Sequence, residues 1–140
     1  MSKKALIMSS LKIFSFCRIT FNIEKSEELP KKFWFRVNNG STSFLELFSR
    51  KKLKKILKEM DDIQTKDLNS WCIESMPIKG KDTNIEIIVG RATDKDYVKK
   101  FPEQEYWITL CDLVDTCTIN MYKEDFLKIR DLIETVLNEV

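Results

Sequence analysis

Six basic residues fall in the nine positions of the run Arg50-Lys-Lys-Leu-Lys-Lys-Ile-Leu-Lys58. Charge at that density attracts phosphates through a salt-dependent force that ignores base sequence. The same residues also serve as an ordinary solvated face. Lys51, Lys54, Lys55 and Lys58 are therefore the candidates for nucleic-acid contact. Trp34 stands among Lys31, Lys32 and Arg36 and offers a ring for base stacking or for cross-strand packing. The opposite charge comes later in the chain. Glu103, Glu105, Asp112 and Asp115 surround two aromatic and β-branched runs, with Tyr97 and Trp107 nearby. Carboxylates around rings suit a basic protein partner, because the charge steers the encounter and the rings supply buried area.

Other chemistry is closed off by what the chain lacks. There is no histidine, so a Ser-His-Asp triad, a Cys-His pair and an imidazole zinc site are all excluded. With three glycines, at positions 40, 80 and 90, there is neither a dinucleotide fingerprint nor a phosphate loop. The four cysteines are Cys17, Cys72, Cys111 and Cys117, and no two of them have the close spacing of a structural zinc site. Each borders an apolar run, where a reduced cysteine packs as a small hydrophobe. Asp112 with Asp115, and Glu103 with Glu105, could pair as acid and base only if they were buried together in a cleft. The expectation is a non-enzymatic protein that uses no cofactor and no metal.

Behind these candidates lies a charge split that a net charge of +2 conceals. Residues 1–60 carry 14 Lys/Arg against 5 Asp/Glu, and residues 101–140 carry 3 against 9. Such a chain is dipolar unless folding brings its ends together. Its 140 residues fit one domain over 1–140, and an apolar fraction of 43% is enough for a core without staples. Lys3, Lys4 and the apolar residues after them resemble a secretory leader superficially. Ser9, Ser10 and Lys12 interrupt the pattern, and no small-residue cleavage site follows. No run is long enough to span a membrane, and the reading of the cysteines as reduced places the chain in the cytoplasm.

The elements that must position the candidates can be read from periodicity. Alternation from Ile13 to Ile23 predicts one strand, and Phe33, Phe35 and Val37 predict a second strand antiparallel to it. Asn38-Asn39-Gly40 is a turn signal. Ser43 with Glu46 forms a capping box, which predicts a helix from there through the stripe Leu53, Ile56, Leu57 and Met60, with Ser49 as a second cap. Asp61 and Asp62 mark its close. Short strands are expected at Trp71–Met76, Ile85–Val89, Tyr106–Cys111 and Thr116–Met121. The polar stretch 93–105 carries at most a helical turn near Tyr97. Phe126, Ile129, Ile133, Val136, Leu137 and Val140 line one side of a final helix from about Glu124 to Asn138. The class is α+β, a mostly antiparallel sheet of five to six strands with two main helices packed on one face.

The ending, Tyr106-Trp-Ile-Thr-Leu through Thr118-Ile-Asn-Met-Tyr-Lys-Glu-Asp-Phe-Leu to Leu132-Ile-Glu, resembles the strand-then-helix finish of small bacterial immunity proteins. Those proteins act as toxin inhibitors, some in contact-dependent inhibition, by covering the active site of one cognate toxin domain. The resemblance implies an antitoxin-like protein-binding role in the cytoplasm, one cognate toxin as partner, and no catalysis; the acidic loops make that toxin a basic one. Partner contacts would then come from Glu103, Glu105, Asp112, Asp115, Tyr97 and Trp107. The alternative is a nucleic-acid-binding module using the basic helix 50–58.

Overall fold

The computed structural model describes residues 8–14, 18–25, 32–38, 43–66, 71–80, 85–114 and 116–138. Its first part is a four-stranded antiparallel meander: β1 (Met8–Phe14), β2 (Arg18–Lys25), β3 (Lys32–Asn38) and β4 (Ser43–Ser49), paired in chain order. The second part is a five-stranded antiparallel sheet. It contains β5 (Cys72–Glu74), β6 (Ile78–Lys79), β7 (Glu86–Ala92), β8 (Tyr106–Cys111) and β9 (Thr116–Met121). β7 pairs with β5 and β6 along one edge and with β8 along the other, and β9 follows β8. A sixteen-residue helix closes each part: α1 (Arg50–Thr65) after β4 and α3 (Lys123–Asn138) after β9. A short α2 (Lys95–Lys100) and a single 3-10 turn at Pro102–Gln104 link β7 to β8.

The α+β class, the five-stranded antiparallel sheet and the two long helices on its inner face are as the sequence reads. The four-stranded meander beside them was not foreseen as a separate sheet. Two local expectations are corrected by it. The alternation from Ile13 to Ile23 belongs to two strands, β1 and β2, paired as neighbours with Ile13 opposite Ile19. A period of two continues through such a reversal when no glycine or proline marks it, and the connecting residues 15–17 lie outside the described set. The segment Ser43–Ser49 is strand β4, bonded to β3 along its whole length, and not the first turns of a helix. Phe44, Leu45, Leu47 and Phe48 are apolar on both parities, which suits a sheet more than the capping-box pattern suits a helix. Helix α1 starts instead at Ser49, whose Oγ accepts from the Lys52 backbone N at 3.1 Å.

One apolar cluster joins everything. Ile23, Phe33, Val37 and Phe48 come from the first sheet, and Leu53, Ile56, Met60 and Ile63 from α1. Ile87, Val89, Ile108, Leu110, Ile119 and Met121 come from the inner face of the second sheet. Phe126, Ile129, Ile133, Val136 and Leu137 complete it from α3. Phe33 lies opposite Phe48 across the β3–β4 ladder, and both are buried. The Tyr106 ring packs on Phe126 with centroids 4.5 Å apart. Each helix reaches beyond its own part: α1 packs on β7, while α3 packs on β1 and β2.

Arg130 ties the helices together. Its guanidinium donates to both carboxylate oxygens of Asp61, at 2.8 and 3.2 Å, and to both of Glu134, at 2.9 and 3.0 Å. Asp131 accepts a further bond at 3.1 Å. These carboxylates hold the guanidinium even more firmly protonated than usual, Asp61 foremost. Asp61 therefore does not end α1, which continues to Thr65, but bridges it to α3.

Candidate functional site

The described acidic candidates flank strand β8, which separates them. Glu103 stands in the 3-10 turn and Glu105 just before the strand, while Asp112 follows its far end. Six residues at about 3.3 Å each put about 20 Å between the two groups. Asp115 lies outside the described residues. The four acids predicted from sequence are thus not one cluster.

The start of β8 is tightly built. Backbone N of Ala92 donates to the Glu105 carbonyl at 2.7 Å. The Glu105 carboxyl is half-buried, and that burial pushes its pKa above the ordinary 4.5, with Lys123 and Arg91 pulling the other way. Burial likewise pushes the Tyr106 phenol up. The Tyr97 hydroxyl donates to Gln104 Oε1, and its ring meets Phe101 at 5.4 Å and the edge of Trp71 at 6.4 Å. Trp107 lies on the outer face of the sheet. Its Nε1 donates to Glu74 Oε2 at 2.8 Å across Gly90. The indole occupies the space where a Cβ on residue 90 would sit, which explains why that strand position is a glycine.

The far end of β8 has the opposite character. Asp112 Oδ1 accepts from the Val114 backbone N at 2.8 Å, closing the turn toward β9. Leu113 is 82% exposed and Val114 87%. Two large aliphatic side chains thus stand in open solvent beside the Asp112 carboxylate. Sequence reading passed over both residues. The available signal was the string Cys111-Asp-Leu-Val-Asp115, in which apolar residues occupy a turn that needs none.

The basic candidates are placed together. Lys51, Lys54, Lys55 and Lys58 are exposed along α1, opposite its buried stripe. With Lys52 they line a groove of about 470 Å³. Lys58 Nζ reaches Asp62 Oδ2 at 3.2 Å. Among the described residues, no carboxylate lies within ion-pair distance of Lys51, Lys54 or Lys55.

A second cationic region was not anticipated. Where α1 ends beside β7 and α2, a cavity of about 430 Å³ is bordered by Lys66, Arg91, Lys95 and Lys99, with Glu105 on its wall. These residues are scattered over 39 positions of sequence, from 66 to 105, so no local pattern could have grouped them. Arg91 Nε donates to the Ile63 carbonyl at 2.7 Å, and its Nη2 donates to the Lys66 carbonyl. The guanidinium thereby caps the C-terminus of α1, where backbone carbonyls otherwise lack partners.

Cys72, Cys111 and Cys117 are half-buried, and Cys17 lies outside the described residues. No group of three or more acidic or cysteine side chains forms a metal cage among the described residues. Nor, among them, is any helix long and apolar enough to cross a membrane. No protein-family model matches this chain, and no curated protein matches it either.

Proposed function

We propose that this chain is a non-enzymatic binding protein of the immunity type, which neutralises a cognate toxin domain in the cytoplasm by covering its active site. The observation that carries the proposal is the bare pair Leu113 and Val114 beside Asp112. Exposed aliphatic side chains on a hairpin tip cost solubility unless a partner buries them. The adjacent Asp112 carboxylate favours a partner whose pocket has a basic rim, as the active site of a nuclease has. Tyr97, Trp107 and Glu105 hold up the other end of β8, so their hydrogen bonds shape the scaffold that presents the tip.

The test is co-expression with a candidate toxin domain taken from an adjacent gene. Cells making the toxin alone should stop growing, and cells making both should grow. Leu113→Ser with Val114→Ser should abolish protection while the melting temperature stays unchanged. Asp112→Lys should slow association and flatten its salt dependence. Full protection by the doubly substituted chain would overturn the assignment of the tip.

The lysine groove on α1 favours a second reading, a nucleic-acid-binding module. Phosphate contacts predict an affinity that falls linearly with log salt, each lost lysine lowering the slope by about one. A gel shift across a salt series with Lys51→Glu, Lys54→Glu and Lys55→Glu separates the two readings.

A further inference from the structure

We infer that the cavity at the end of α1 is a binding site for a small phosphate-bearing molecule, formed by Lys66, Arg91, Lys95 and Lys99. It is independent of the hairpin tip and of the lysine groove. Four cations and one carboxylate are the charged residues described around a space of about 430 Å³. That volume lies in the range of small-ligand pockets, roughly 300–1,000 Å³. It accommodates a diphosphate or triphosphate with part of its organic substituent.

Two features of the site oppose an anion, and the fold deals with both. The C-terminus of a helix carries partial negative charge and repels phosphate. Arg91 donates to the Ile63 and Lys66 carbonyls at that end, so a full positive charge sits where the helix would be most negative. Glu105 is the other opponent. It lies within the electrostatic reach of Arg91 and Lys123, which offset its charge.

The remaining cations are available. Lys66, Lys95 and Lys99 are exposed, and none has an ion-pair partner among the described residues. They come from different elements: Lys66 caps α1, while Lys95 and Lys99 stand one turn apart on α2. Lysines converging from separate elements on one hollow differ from lysines spread along a single helix. They can surround a compact polyanion, whereas the groove on α1 follows a line.

Calorimetric titration of the full chain with inorganic pyrophosphate tests the assignment. A single saturable site is expected. Combining Lys66→Glu, Lys95→Glu and Lys99→Glu should weaken it at least tenfold. The matched triple on α1, Lys51→Glu with Lys54→Glu and Lys55→Glu, should leave it unchanged. Circular dichroism checks that both variants keep the fold, and a Lys→Gln triple at the cavity should give an intermediate loss. Absence of saturation at millimolar pyrophosphate overturns the site, as does equal loss in the two triples. Displacement of pyrophosphate by a single-stranded oligonucleotide at lower concentration would make the hollow part of a nucleic-acid track and overturn the small-molecule assignment.

Discussion

The two ends of the six-residue strand β8 follow different rules. At its start, polar groups are matched: Glu105 with Ala92, Tyr97 with Gln104, Trp107 with Glu74, and Arg91 with the carbonyls of α1. At its end, Leu113 and Val114 stand in solvent, with the Asp112 carboxylate accepting from the Val114 backbone N. Residues at the matched end are held by the fold, so changing them alters stability. The Leu113 and Val114 side chains stand exposed, so changing them should alter mainly what the molecule meets.

The contrast can be broken at its strongest point first. Arg91→Met should cost about 2–3 kcal/mol in chemical denaturation, because charged hydrogen bonds to the carbonyls of α1 are lost and those carbonyls stay partly buried. A cost below about 0.5 kcal/mol would show that water replaces the guanidinium and that this end is not tightly built. Gly90→Ala comes next, at about 1–2 kcal/mol, since the new methyl group displaces the Trp107 indole from Glu74. An NMR spectrum should show the Trp107 indole N–H leaving its hydrogen-bonded position. An unmoved resonance would mean that the strand gives way instead.

Glu105→Gln sharpens the comparison by sign. Burial raises the folded pKa of Glu105 above 4.5, so the protonated form is favoured by folding. Its stabilising effect is complete below the unfolded value and is lost as pH rises through the folded one. At pH 7 the glutamine variant should therefore be slightly more stable than the parent. The gap should close as the pH falls below 4.5. A gap that widens in acid would reverse the assignment of burial as the dominant cause. Smallest of all, Leu113→Ser with Val114→Ser should change stability by less than about 0.5 kcal/mol. A larger loss would place these side chains against something in the fold and remove the bare end from the comparison.

Much of the scaffold is legible in the residues. α3 declares itself through Phe126, Ile129, Ile133, Val136 and Leu137, and β7 through β9 through short β-branched and aromatic runs. Misreadings occurred where two local signals competed. Ser43 and Glu46 carry the letters of a capping box, but pairing with β3 outweighs a cap worth about 1 kcal/mol. Ser49 was the helix start, and only the tertiary fold decides between two serines with similar neighbours.

The sites divide similarly. The lysine face of α1 is visible because its residues are adjacent along one helix. The acidic set was grouped because it is close in sequence, and β8 then spread it over its own length. The cavity ringed by Lys66, Arg91, Lys95 and Lys99 left no trace in the sequence, since only the packing of α1 on β7 brings those charges together.

The exchange of helices between the two parts sets an order of events during synthesis. β1 and β2 leave the ribosome well before the element that packs on them, α3, which follows the nine described strands. α1 follows β4 directly and packs on it, whereas β1 and β2 wait for α3 until β5 to β9 have been translated. Such a nascent intermediate would depend on holding chaperones more than its finished size suggests.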